Sequence, residues 1–344
     1  MNQSAQPGAE SSSQVGAAKA ATAAPPRAAH PQWWSPPELW AALTAPAEAR
    51  LSRSEPLSAE LLPTVAPAVI CAIALLIAQG APIHWLVATS ELFAAVFALA
   101  GIAAFFQARH TPVEQASLRR SAMTLGGAWL VAAAVCALPM LLSGMPAALL
   151  ALALVAIAAL LYGADVVRPR IAPLDELLTP LCLGPGLFAL TIVAQGQRFT
   201  RADWLVVGAL GGMAFAVIVG LRMRAVVPAD DQKAHAGRSL ATLFGARVAC
   251  ALIAIALIAS YALIVAIAAP RGGWPGALLA LPSAPLALVG FSGLAVSSYL
   301  PARKSAARQL VRAYLWFGLA LAVGLALTLV AQQIIQAMTQ TLGG

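Results

Sequence analysis

The chain is predicted to be an all-α integral membrane protein, and three observations predict it. Hydrophobic residues make up 60% of the 344 positions and charged residues 10%, against about a quarter charged in a soluble domain. The apolar runs recur at roughly 17 to 25 residues, which at about 1.5 Å of helical rise per residue crosses a hydrocarbon core about 30 Å thick. The runs are continuously apolar and do not alternate with period two, so the backbone must satisfy itself within helices and not within a barrel.

Spans are expected near 64–80, 82–106, 121–142, 146–163, 177–195, 203–221, 247–269, 275–298 and 312–336, nine in all. The first two are separated only by "GAP" around Pro82, and 121–142 and 146–163 only by "SGMP", so each pair reads as a tight hairpin. The tract "LPSAPLALVGFSG", 281–293, interrupts the eighth span with prolines and glycines, which reads as a kink. Together 61–340 form one transmembrane domain.

The basic residues set the expected orientation. The longer connections on one side hold Arg109, Arg119 and Arg120, then Arg168 and Arg170, then Arg222, Arg224, Lys233, Arg238 and Arg247, then Arg303, Lys304, Arg308 and Arg312. The opposite side holds only Arg198, Arg201 and Arg271. The positive-inside rule then places the N-terminus and long loops in the cytoplasm and the C-terminus outside. The net charge of +8 follows from topology and attraction to anionic headgroups, with no nucleic acid required.

Residues 1–60 differ in kind. "MNQSAQPGAESSSQVGAAKAATAAPPRAAHPQ" is rich in Ala, Ser and Pro without apolar periodicity and is expected to be disordered. It has no apolar core of a signal peptide, so the first span is read as the membrane signal. A short interfacial helix near 36–50 is one reading of "WWSPPELWAALTAPAEARL", with Trp33, Trp34 and Trp40 at headgroup level, and a plain linker is the other. Cys71, Cys136, Cys182 and Cys250 all fall within spans, without metal-ligand spacing, and read as small core residues.

Candidate chemistry concentrates in the longer loops. They bring Arg109, His110 and Glu114; Arg168, Arg170, Asp175 and Glu176; and Arg222, Arg224, Asp230, Asp231, Lys233, His235 and Arg238. Guanidinium groups bind phosphate bidentately, and carboxylates hold Mg²⁺ that bridges phosphate oxygens, so the set suits a ligand with an anionic head and an apolar tail. Composition alone fits ordinary loop charge better. Glu91 stands apart, inside the second span, where a carboxylate costs about 2.5–3.5 kcal/mol on insertion scales. It is expected to be protonated, to snorkel toward the outer surface, or to face the interior and meet a partner such as His84 or Ser90.

Motif order changes that balance. "DDQKAHAGRSLATLFG" resembles the second conserved loop of the UbiA superfamily of membrane prenyltransferases, with Asp230, Asp231, Ser239 and Leu243-Phe244-Gly245 in the corresponding places. Upstream, Tyr162, Arg168, Glu176, Gly184-Pro185, Thr191 and Gln195 are similar in order and spacing to the branch that prenylates 1,4-dihydroxy-2-naphthoate, and "LLPTVAPAV" to its first helix. The resemblance covers about 61–336 and implies a nine-helix bundle in a bacterial cytoplasmic membrane. It implies transfer of a polyprenyl group from its diphosphate to an aromatic, naphthoate- or quinone-precursor-like acceptor. Mg²⁺ would then be held by Asp230 and Asp231, and the diphosphate by Arg168, Arg222, Arg224, Lys233 and Arg238. Glu91, Glu114 and Glu176 are the remaining cavity or loop carboxylates.

Two departures from the pattern matter. The family's first aspartate motif should fall at "IAAFFQARHTPVEQ", where Ala103, Ala104, Phe105 and Phe106 stand and Glu114 is the sole acid. In "LRMRAVVPADD", Leu221, Arg222 and Ala225 replace two amides and an aspartate. A second reading follows: a family member without catalysis that binds an isoprenoid, quinone or lipid as carrier, scaffold or assembly partner. A transporter is a third reading, opposed by the lack of internal repeats or a matching pair of broken helices.

Overall fold

A computed structural model describes residues 62–110, 115–142, 146–163, 176–223, 240–269, 273–297 and 300–343. The expected disordered tail and the interfacial helix near 36–50 lie outside these residues. Among the described residues all regular structure is helical. In chain order the helices are α1 (Leu62–Ala78), α2 (Trp85–His110), α3 (Ala116–Leu142), α4 (Pro146–Gly163), α5 (Glu176–Ala194) and α6 (Arg201–Met223). They continue with the short α7 (Leu240–Phe244), α8 (Ala246–Ala268), α9 (Pro275–Val296) and α10 (Leu300–Gly343).

Seven of these, α2, α3, α5, α6, α8, α9 and α10, are long and apolar enough to cross a membrane. Helix α1 has 17 residues, only ~26 Å of rise, and α4 has 18. Both coincide with apolar segments read from the sequence.

The ends of the helices follow local chemistry. Gly80 and Gly196 adopt positive φ angles of 69° and 73°, which glycine reaches without a Cβ penalty. Each closes its helix in a Schellman arrangement: Ala81 N–H donates to Leu76 O (3.0 Å) and Gly80 N–H to Ile77 O (3.0 Å), and Gln197 and Gly196 repeat the pattern onto Ile192 and Val193. Helix α6 opens on a Thr200-x-x-Asp203 box. The Asp203 carboxylate accepts from the Thr200 N–H, Asp203 N–H donates to Thr200 Oγ1 at 3.4 Å, and Gln79 Nε2 donates to Asp203 Oδ1 at 3.2 Å. Asp203 is thereby buried with partners, and the end of α1 is tied to the start of α6.

The expected interruption of the eighth span is present. Helix α9 is a 3-10 helix over Pro275–Ser283 and becomes α-helical at Ala284. Pro282 and Pro285 remove two backbone donors at the junction. A π-helical turn over Cys182–Gly186 does the same in α5, around Pro185. Two loops are shorter than expected. Helix α2 runs on to His110, and α10 starts at Leu300, so the basic segment 299–311 is largely helical. Arg, Lys, Ala and Gln are good helix formers, and long basic side chains reach water from a helix as readily as from a loop.

Helix α1 lies at the centre, packed on α10, α5, α2 and α6, while α2 and α3 form the most extensive pair. One apolar core joins α1, α5, α6, α8, α9 and α10, and a small satellite of Val87, Ala94, Met140 and Ala194 lies between α2, α3 and α5, with Leu149 and Leu152 of α4 against it. Close approach is carried by small residues, as expected where lipid offers no hydrophobic drive between helices. A Cβ on Gly276 would collide with the carbonyl of Gly324, and the reverse holds for Gly324; Thr328 Oγ1 accepts from Gly276 N–H at 3.0 Å and donates to Gly324 O at 3.0 Å. Helices α9 and α10 therefore touch backbone to backbone.

Candidate functional site

The bundle has two ends of different character. At one, the helix termini carry Arg119, Arg120, Arg222, Arg247, Arg303, Lys304, Arg308 and Arg312; it is called the basic end below. At the other lie the Schellman turns and the Thr200–Asp203 cap. Buried polar side chains collect near both.

At the basic end, Glu176 opens α5 and is 1% exposed. Its Oε2 accepts the Leu240 N–H at 3.1 Å, so the first residue of α7 is fastened to the first residue of α5. Arg222, in the last turn of α6, is also buried. The segment 224–239, with Asp230, Asp231 and three basic residues of the expected site, lies outside the described residues, between the end of α6 and Leu240. Three further polar atoms are buried at this end without a hydrogen-bond partner among the described residues: Thr179 Oγ1 on α5, and Gln309 Oε1 and Tyr314 Oη on α10. Leaving such groups unsatisfied costs about 1–3 kcal/mol each, which marks this interior as one built for polar company.

At the opposite end, Glu91 projects from α2 among Val87 and Ala94 and is 1% exposed. Its Oε1 and the Leu187 carbonyl oxygen, 3.0 Å and 2.8 Å from Thr191 Oγ1, share the single proton of that hydroxyl. One turn further along α5, Gln195 Oε1 accepts the His84 N–H at 2.7 Å. Glu91 Oε2 and Gln195 Nε2 are both buried and unpartnered among the described residues. This corrects the sequence expectation for Glu91. It does not snorkel, and its partner is neither His84 nor Ser90 but a threonine 100 residues away, because α5 packs its 191/195 face toward that turn of α2.

The other expected site residues divide cleanly. Asp230 and Asp231, assigned to metal, and Arg168, Arg224, Lys233 and Arg238, assigned to diphosphate, lie outside the described residues, as does Glu114. Of the named set, the structure positions Arg222, Glu176 and Glu91, and Glu91, bonded to Thr191, lies ~22 Å of helical rise along α5 from Glu176. At the end of α2, Ala103 and Ala104 are buried and Phe105 is partly exposed, so this helix offers no carboxylate to a metal there. No three His, Cys, Asp or Glu side chains converge among the described residues.

Sequence reading missed the Gln79–Thr200–Asp203 cluster and the pairing of Thr191 with Glu91. The first had a visible signal, a Thr-x-x-Asp box directly before an apolar run. The second had none beyond the i, i+4 spacing of Thr191 and Gln195. Neither the family models nor the curated proteins with which the chain was compared match it.

Proposed function

We propose that the chain is a nine-span membrane prenyltransferase of the UbiA type, its basic end in the cytoplasm and its C-terminus outside, which transfers a polyprenyl group from its diphosphate to an aromatic acceptor. The observation that carries this reading is the interior of the basic end. Thr179, Gln309 and Tyr314 bury polar atoms without hydrogen-bond partners among the described residues, at the end of the bundle where Arg222 and Glu176 are also buried. An apolar tail fits between helices, and an anionic head fits the polar interior and its basic rim. In this reading Arg222 would clamp the diphosphate, and Glu176, bonded to the Leu240 N–H, would stand next to the segment that carries Asp230 and Asp231. Mg²⁺ held by that pair would neutralise the leaving diphosphate.

The test is prenyl transfer by purified protein in detergent with Mg²⁺, several polyprenyl diphosphates and phenolic or naphthoate acceptors. Product that disappears in Asp230→Asn/Asp231→Asn supports the reading; no product with any pair overturns it.

One observation favours a second reading, a binder of isoprenoid, quinone or lipid without catalysis: the end of α2 presents Ala103, Ala104 and Phe105 where a second set of carboxylates would be needed. Such a binder retains a polyprenyl diphosphate equally in EDTA and in Mg²⁺, whereas a metal-dependent enzyme loses it in EDTA.

A further inference from the structure

Helix α10 has two faces. Leu310, Tyr314, Phe317 and Leu321 are buried in the bundle. On the other side one stripe advances by three or four residues at a time, the spacing that makes neighbours on a helix surface: Arg308, Arg312, Trp316, Leu319, Val323 and Leu327. Both arginines are exposed, Trp316 is 60% exposed, and the three aliphatic side chains are about half exposed. The stripe runs from cationic through aromatic to aliphatic, the order in which a phospholipid presents its head, its glycerol and its chains. The lengths agree as well. From Trp316 to Leu327 the helix rises ~16 Å, against ~15 Å for one leaflet of a hydrocarbon core about 30 Å thick. Trp favours that boundary, having an apolar body and a polar N–H.

The charge points to an anion. Among the described residues the acidic side chains are Glu91, Glu176 and Asp203, and all three are buried, so the exposed charge of the described surface is positive. Arg308 and Arg312 are separated by one turn, ~6 Å of rise, so two guanidinium groups can converge on one phosphate. The other exposed arginine pair at this end is built differently. Arg119 and Arg120 of α3 are consecutive and therefore point about 100° apart, and the next turn brings Met123 and Thr124 with no aromatic ring. Helix α3 packs on α2 and α4.

We propose that this face of α10 is a docking site for an anionic phospholipid, its phosphate held by Arg308 and Arg312, its glycerol level with Trp316, and one acyl chain along Leu319, Val323 and Leu327. Guanidinium groups take phosphate oxygens in a fork. The aliphatic part of the stripe is continuous with the apolar outer surface of a membrane-embedded helix, so the bound lipid extends an interface that α10 already has. Prenyl transfer is not required for this.

The experiment is native mass spectrometry of the full chain released from detergent micelles, titrated with phosphatidylglycerol and, separately, with phosphatidylcholine of the same acyl chains. Phosphatidylglycerol is expected to bind the wild type more tightly. Arg308→Gln/Arg312→Gln is expected to weaken it by roughly tenfold to thirtyfold, about fivefold for each cation at headgroup level, and to leave phosphatidylcholine unchanged. Arg119→Gln/Arg120→Gln removes the same charge from the same end and is expected to weaken phosphatidylglycerol by less than about threefold, since charges beyond a Debye length are screened. Should the first double variant not fold, Arg308→Gln and Arg312→Gln singly, each with a loss of about fivefold, decide in its place. The proposal is overturned by equal affinity of the wild type for the two lipids, or by equal losses in the two double variants, which is the outcome of general attraction to the basic end. Pairs of chains that separate in Arg308→Gln/Arg312→Gln would also overturn it, making this face an interface between copies.

Discussion

Single residues in this bundle matter mainly by what they leave room for. Gly276→Ala is expected to destabilise the protein by about 1–3 kcal/mol, because the new methyl group meets the Gly324 carbonyl and neither backbone can retreat without opening the α9–α10 contact. Gly127→Ala is the control: a Cβ there meets nothing within 4 Å, and the helix gains up to about 1 kcal/mol from replacing glycine. Thermal unfolding of the two variants in detergent should move in opposite directions. At this scale the sequence was informative about identity and silent about partners. Glu91 was conspicuous as an acid inside an apolar run, yet the residue that bonds it was one threonine among many, and only packing selects it.

At the scale of elements, the helix ends are where local rules and tertiary contacts meet. Asp203→Ala removes the acceptor of the Thr200 N–H in the capping box of α6 and the acceptor of Gln79 together, and is expected to cost about 1–2 kcal/mol. Faster hydrogen exchange confined to the first turn of α6 and the last turn of α1 would show it. Glu176→Ala releases the Leu240 N–H from the start of α5. A charged hydrogen bond is worth about 1.5–3 kcal/mol, so hydrogen exchange at the Leu240 amide should accelerate by about tenfold or more, and Glu176→Gln, which keeps an acceptor oxygen, should restore part of the protection. The interruption of α9 was legible because proline leaves a mark in sequence, whereas the π-helical turn around Pro185 in α5 was not read from the sequence. The extension of α10 into the basic segment was not, because lysine and arginine are equally at home in a helix and in a loop.

For the whole molecule, the alternation of basic and neutral ends makes a topological prediction. Cysteine introduced at Gln115 is expected to react with a membrane-impermeant thiol reagent only from the cytoplasmic side, and at Gln197 only from the other; labelling of both from one side would overturn the proposed orientation. Helix α10 adds a second prediction. Gly324 and Thr328 are level with the start of α9, so the residues from 329 to 343 project ~22 Å past it. Most of them, including Ile334, Ile335 and Met338, are exposed. Truncation after Gln332 is therefore expected to leave the unfolding temperature in detergent within about a degree or two of the full chain, since almost no buried contact is lost.

Sequence by itself determined that the chain is helical and membrane-embedded, where its apolar helices lie, and which end of each is basic. Those properties are summed over twenty or so residues and survive any arrangement of neighbours. Tertiary structure alone decided which faces meet. These helices are apolar nearly all round, and lipid is as apolar as leucine, so no stripe of hydrophobicity points inward. Contacts are selected instead by glycine gaps such as Gly276 against Gly324 and by single hydrogen bonds such as Thr191 to Glu91. The same reason explains why the bond from the Leu240 N–H to the buried Glu176 became visible only once α5 and α7 were side by side.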